Sequence, residues 1–527
     1  MMRCPSLAIA LTVAIASPAA AQAEAWWGHV TALAHDSMRG RQTGSPEHRR
    51  AAEYVAAAFG RAGLVPAGSD GWFQPVRFRV RRTDEARSLV ALARGGKAET
   101  LVLGRDATIN LRSSTPGTVD APLVFVGYGV RAPEQGHDDF AGLDLEGKVA
   151  VVLAGVAPKG IPGPALAAGH AAGGEALESG GAVGVITLFS PHSDLPWERY
   201  AEARLHPQMR VMPDSAEPAP RPWVTVVLSP AAGERLFDGS RQRYAAIRAL
   251  ADSGAQLPRV DLSLRLRATV AVEQSEAVSD NVVGLLPGAD SVLAGEYVAL
   301  TAHLDHLGVG QPVDGDSIYN GAMDNASGIA TLIETAMTLG KRGQRLRRPV
   351  LFVAVTAEEK GLLGSDYFAG HPTVPDGGAV VADLNTDMFL PINPLRRLLV
   401  NGLEESDLAD DVRRAAARAG IEVITDPEPE RNAFVRSDQF SFIRRGIPAL
   451  SLKVGFALGS PEHERVLRWR QDRYHGVKDE VTQPVERQAA EDFNRLYPEV
   501  VAEVANRPVR PAWYPTSAFR PDAAGGR

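Results

Sequence analysis

The chain has 527 residues, 45% of them hydrophobic and 23% charged, with a formal net charge of −7. That length exceeds one ordinary core, so at least two domains are expected. No basic stripe or Lys/Arg run points to nucleic acid or an anionic membrane, and no apolar run after the N-terminus reaches the roughly 18 residues a spanning helix needs.

At the N-terminus Arg3 precedes a short apolar stretch at 7–15, and Ala19, Ala20 and Ala21 supply small residues at a cleavage position. This pattern reads as a secretory signal peptide over residues 1–21, which implies export to the periplasm or the medium. The one cysteine, Cys4, lies inside that segment. The mature chain is therefore expected to lack thiolate ligands, disulfides and a cysteine nucleophile.

Ala51, Val55, Ala58, Phe59 and Ala62 recur at helical spacing before Gly63, and turns over 66–71 lead into a strand at 73–80. Short β-branched runs at 121–126, 148–153 and 182–188 lie between Gly-rich turns, with a helix expected at 165–178. From Ser279 the pattern changes to alternating strand and helix. Strands are expected at 297–302, 350–355 and 379–384, and a helix at 325–339. This predicts an α/β fold, a mixed and mostly parallel sheet flanked by helices, with a β-rich insertion. The expected division is one discontinuous α/β domain at 22–115 and 275–506, an insert at 116–274 and a mobile Pro-rich tail at 507–527.

The chemistry concentrates where those strands end. His303 and Asp305 follow the first, Glu358 and Glu359 the second, and Asp387 the third. Ligands of open α/β sheets collect at the carboxyl ends of strands, so one crevice receives imidazole and carboxylate from three of them. Asp324 precedes a helix among small residues that permit close backbone approach, though an isolated Asp there is also an ordinary N-cap. Taken alone, His475 reads as a surface histidine.

Ala302-His-Leu-Asp-His-Leu-Gly308, Gly321-Ala-Met-Asp-Asn-Ala-Ser-Gly328, Thr356-Ala-Glu-Glu-Lys-Gly-Leu-Leu-Gly-Ser365, Asn385-Thr-Asp387 and Tyr474-His475 resemble the ordered motifs of family M28 zinc peptidases. Asp36-Ser-Met-Arg-Gly-Arg-Gln-Thr-Gly44 is also similar to the N-terminal region of that family. Phe125-Val-Gly-Tyr-Gly129, Asp138-Asp-Phe140 and Leu145-Glu-Gly-Lys-Val149 resemble a protease-associated domain. The resemblance implies two zinc ions per chain, one on His303 and Asp387, the other on Glu359 and His475, with Asp324 bridging. It makes Glu358 the general base that takes a proton from a metal-bridging hydroxide's parent water and returns it to the leaving amine. Asp305 is expected to accept a hydrogen bond from the His303 ring. His306 is expected to shape the loop rather than ligate. Nitrogen and carboxylate donors suit zinc, and two metals about 3.5–4 Å apart can share a hydroxide.

Arg436-Ser-Asp-Gln-Phe440, followed by Gly446-Ile-Pro-Ala449, resembles the substrate-side loop, with Gln439 where many relatives have histidine. Ser437 and Asp438 are the pocket candidates. The substrates implied are peptides or proteins, and aminopeptidase is favoured over a glutamate carboxypeptidase-like enzyme because only Lys453 follows the Gly-Ile turn where those relatives place arginines. Two further readings stay open, a glutaminyl cyclase with one zinc and a metal-free binding protein. Gly127-Tyr-Gly-Val-Arg-Ala132 fits a loose dinucleotide fingerprint but opens no helix, and His463-Glu464 has Leu467 where a helix-borne zinc site needs histidine.

Overall fold

The computed structural model describes residues 18–111, 113–161, 163–190, 193, 195–212, 221–341 and 346–521. Residues 1–17 of the expected leader and 522–527 of the expected tail lie outside them. Among the described residues no helix is long and apolar enough to cross a membrane.

Two sheets organise the chain. The larger has 10 strands, and its main path runs from Gln208–Val211 through Phe73–Thr83 and Val272–Leu286 to four central strands. These are β1 (Glu296–His303), β2 (Val350–Val355), β3 (Ala379–Asn385) and β4 (Ala449–Val454), in the spatial order β2, β1, β3, β4. All three contacts among them are parallel, while the neighbours on either side pair antiparallel. Arg397–Asn401 and Glu422–Ile424 complete the far edge.

The apolar run of β2 is buried along its whole length. Side chains alternate across a strand, so Val350, Phe352 and Ala354 enter one core and Leu351, Val353 and Val355 another. The first core is roofed by helices Pro18–Leu33, Pro46–Arg61, Ser327–Lys341 and Arg487–Ala505, the second by Leu363–Gly370 and Gln439–Ile443. Burying Phe352 or Ile333 contributes about 1.5–3 kcal/mol each. Covering both faces leaves the strand ends as the place for polar side chains.

The smaller sheet has 8 strands in the order Lys97–Thr100, Leu89–Arg94, Val260–Val270, Gly117–Gly127, Val149–Leu153, Gly184–Leu188, Val224–Leu228, Ala107–Ile109. It begins at Leu89, well before the expected 116, because Leu89–Arg94 pairs with Val260–Val270, a partner far along the chain that local pattern does not reveal. The insert also sends one strand back. Gln208–Val211 leaves it and pairs antiparallel with Phe73–Thr83 at the edge of the larger sheet.

The expected mobile tail is docked as far as it is described. Arg507 pairs with Asp407 at 2.5 Å and Asp411 at 2.7 Å, Trp513 Nε1 donates to the Gly446 carbonyl at 2.8 Å, and Phe519 packs edge-on against Phe434. Proline composition hides such docking, since an extended segment with charged and aromatic anchors packs as firmly as a helix.

Candidate metal centre

Parallel neighbours end at the same edge, and this edge gathers the site. His303 is the last residue of β1, Glu358 and Glu359 lie in the loop after β2, and Asp387 lies two residues beyond β3. Asp324 comes from the irregular turn Ala322–Ala326 ahead of helix Ser327–Lys341, and His475 from the loop after helix Pro461–Asp472. His303 Nε2 stands 3.2 Å from Asp324 Oδ1 and 3.4 Å from Asp387 Oδ1. His475 Nε2 stands 3.2 Å from Asp324 Oδ2 and 3.4 Å from Glu359 Oε2. Asp324 thus turns one oxygen to each of two imidazole–carboxylate pairs. Its Oδ2 and Asp387 Oδ1 are buried yet accept no well-aligned hydrogen bond, which fits oxygens directed at cations.

The supports are built from long-range side-chain bonds. Asp479 accepts the backbone N–H groups of Met323 (2.9 Å) and Asp324 (3.0 Å), fixing the turn that presents the bridging carboxylate. Arg41, fully buried, donates to the carbonyls of Leu33, Leu304, Asn320 and Gly321, tying the His303 loop to the Asp324 turn. Burial lowers its pKa to about 10 against the pull of Asp479, Asp305, Asp324 and Glu359. Ala357, Met388 and His475 all hold left-handed backbone with φ of 56°, 46° and 52°. Such strain costs about 1–3 kcal/mol per residue and gathers where function requires it.

Burial alone would raise the pKa of Asp324, but the His303 and His475 rings hold it well below the ordinary carboxylate value. For His303, burial opposes a charge, while Glu358, Asp324 and Asp387 lift the pKa well above that of free imidazole. The cluster is thus a concentrated negative field with histidines answering it.

Residues 281–501 match the model of Peptidase family M28. That stretch is an M28 peptidase domain. An aminopeptidase from Aneurinibacillus sp. strain AM-1 shares the fold of this chain over 93% of its length and 95% of the neighbour's, with TM-score 0.56 and 21% identity. BSAP, a zinc aminopeptidase from Bacillus subtilis, does so over 92% and 95% with TM-score 0.50 and 20% identity. Aminopeptidase YwaD of Bacillus subtilis (strain 168) is 25% identical over 233 residues, 44% of this chain and 45% of the relative. A probable leucine aminopeptidase 2 of Aspergillus oryzae is 28% identical over 225 residues, 40% and 42% of the two chains. The matched region therefore spans less than half the length of either curated relative.

Within the M28 domain, Glu358 lines the open cleft of about 420 Å³ that also exposes His303, Asp324, Glu359, Asp387 and His475. Burial, with Glu359, Asp438 and Asp387 adding to it and His303 opposing, lifts its pKa well above the usual range. Asp305 acts differently from expectation. The His303 Nδ1 atom pairs with the Asp305 backbone carbonyl at 3.0 Å, not with its carboxylate. The carboxylate instead accepts Thr43 Oγ1 at 2.8 Å and the Glu358 N–H at 3.0 Å, since two residues of loop bring the carbonyl closer to the ring than the side chain.

Ser437 lines an adjoining cavity and accepts Asn385 Nδ2 at 3.0 Å. Asp438 is fully buried, lines neither that cavity nor the cleft, and has its pKa pushed up to about 7 by burial, so it is not a pocket residue. Gln439 accepts the same Asn385 amide at 2.7 Å and donates to the Phe434 carbonyl at 2.8 Å, so it ties the loop to β3.

Two further contributors stand beside these residues, His306, expected only to shape its loop, and Arg199, which sequence reading misses. His306, fully buried, sets Nδ1 2.8 Å from Glu359 Oε1 and 4.0 Å from Asp324 Oδ2, so it steers Glu359 from behind. Atoms of His306, Asp324 and Glu359 form a second trio close enough to share a cation, beside that of His303, Asp324 and Asp387. Arg199, on the insert's helix Trp197–Glu202, donates Nη1 to the Tyr474 carbonyl at 3.0 Å, one residue before His475. Only the closeness of His306 to His303 in the chain pointed near the first; nothing local signals the second.

Proposed function

We propose that this chain is a two-zinc aminopeptidase that removes N-terminal residues from peptides. The observation that carries the reading is the disposition of Asp324, whose oxygens serve two imidazole–carboxylate pairs, with Glu358 lining the same cleft. His303 and Asp387 would hold one zinc and Glu359 and His475 the other, with Asp324 between them, in the nitrogen and oxygen donor set zinc accepts. Two such ions would polarise the scissile carbonyl and make a water acidic enough to ionise near neutral pH.

This chain's own groups do the rest. Glu358, with its pKa raised by burial, is suited to take a proton from the attacking water and release it to the departing amine. The Asp305 carboxylate holds the Glu358 backbone N–H, fixing where that base begins. His306 keeps Glu359 turned toward Asp324. The aminopeptidase names of the relatives support this reading, as does the zinc in the name of one structural neighbour. The leader pattern at 1–21 supports export of the mature chain.

The test pairs metal analysis with a substrate comparison. Purified protein is expected to carry two zinc ions per chain, to lose activity with a chelator, and to cleave peptides with a free N-terminus. Cleavage of N-blocked peptides alone would overturn the aminopeptidase assignment, and a single tightly held zinc would favour a cyclase.

A further inference from the structure

A second cavity, of about 110 Å³, opens beside the metal cleft and shares Asp387, Met388, Arg436 and Tyr474 with it. An engineered cavity of roughly 150 Å³ accepts benzene, so this one suits a single side chain of about four or five heavy atoms. Leu390, Leu399 and Trp469 give it apolar walls for methylene groups.

Its polar lining is unbalanced. Lys453, Arg431, Arg436 and Arg470 face Asp426 and Glu428, two cations in excess once Asp387 is committed to the metal centre. Glu428 is already shared, accepting Arg470 at 2.7 Å and standing 3.5 Å from Arg431 and 3.4 Å from His463. Lys453 is half-buried on β4, and its ammonium makes no hydrogen bond or ion pair among the described residues; at longer range Asp387 and Asp324 attract it while Arg470 and Arg431 repel it. A part-buried ammonium without an acceptor is costly, and an arriving carboxylate would satisfy it with a charge-assisted hydrogen bond. A neutral side chain would leave it unpaired.

We infer that this cavity is a specificity subsite for a carboxylate borne by the substrate residue beside the scissile bond, with Lys453 as its counter-charge. The inference rests on the peptidase reading above. The carboxylate has two possible sources, an aspartyl or glutamyl side chain or the free C-terminus of a short peptide, and the cavity volume favours the side chain.

The experiment compares kcat/KM for Glu-Ala-amide, Gln-Ala-amide, Leu-Ala-amide and Leu-Ala on the zinc-loaded wild type, Lys453→Met and Lys453→Arg. Glu is expected to exceed Gln on the order of 10- to 100-fold, the range that a hydrogen bond to a charged group supplies. That ratio should collapse in Lys453→Met and return in part in Lys453→Arg. A preference for Leu-Ala over its amide with the same dependence on Lys453 supports the subsite and assigns the carboxylate to the C-terminus. Equal rates within both pairs in the wild type overturn the inference, whatever the variants do. Calorimetric titration with free glutamate and glutamine separates the two readings. Lys453-dependent selectivity for glutamate without any peptide cleavage keeps the subsite and removes the peptidase reading; cleavage without selectivity does the reverse.

Discussion

At the centre of the larger sheet, β1, β2 and β3 run parallel, with His303 at the end of β1 and Glu358, Glu359 and Asp387 in the loops after β2 and β3. The smaller sheet also has parallel neighbours, Gly117–Gly127, Val149–Leu153, Gly184–Leu188 and Val224–Leu228. Their loops open on Tyr128, Ala154, Phe189 and Ser229, and the metal-spaced trios of the described residues all lie in the other sheet. Similar scaffolds thus yield one acidic crevice and one set of turns that carries no metal-spaced trio among the described residues. The strand arrangement supplies a shared edge, and the loop residues alone decide whether that edge does chemistry.

The contrast breaks most sharply at Asp324. Asp324→Ala should weaken both metals by more than the roughly 10- to 100-fold that follows loss of an outer hydrogen-bond partner, with turnover lost; metal analysis after dialysis against a weak chelator reads this. Next, Glu358→Gln should lower kcat by about 10²–10⁴-fold, the range of general-base catalysis, with zinc retained. Wild-type turnover in that variant would remove Glu358 from the reaction.

Arg199→Ala tests whether the insert is truly separate from the chemistry. Its bond to the Tyr474 carbonyl lies beside a histidine in left-handed backbone. Metal affinity is expected to fall by about 10-fold, the lower end of the range for outer partners, while Arg199→Lys restores part of it. An unchanged affinity would confine the insert to the fold. Smallest for function is Asp139→Ala in the smaller sheet. Asp139 pairs with His137 at 2.9 Å and accepts the Val130 N–H at 3.0 Å. Losing it should cost about 1–3 kcal/mol of stability, read by denaturant titration, with metal content unmoved. A loss of metal there would show the two sheets to be coupled beyond the Arg199 contact.

Much of the centre was legible before any coordinates. The runs at 350–355 and 379–384 are apolar enough to be strands covered on both faces, and the acidic residues just after them stand out against that background. What stayed hidden shares one trait. Arg41 acts through four carbonyls, Asp479 through two backbone N–H groups, and Arg199 through the Tyr474 carbonyl. A side chain bound to main chain hundreds of residues away leaves no periodicity and no motif. Register is silent too, so neither the start of the smaller sheet at Leu89 nor the return of Gln208–Val211 could be read from local pattern. The docked tail was missed for the opposite reason, because proline content suggested freedom that its anchors at Arg507 and Trp513 remove.

The short strand Gln208–Val211 has a consequence for the border of the larger sheet. It covers Phe78 to Arg81 of an 11-residue strand that otherwise bounds the larger sheet. A bare strand of that length offers unpaired N–H and C=O groups to any passing chain, and proteins blunt such borders with a cover or with charge. Here both devices meet, since Arg77, Arg79 and Arg82 lie along the same border. Excising the insert would remove this strand and uncover a template for intermolecular pairing, so the insert serves the border of the larger sheet even where it touches no substrate.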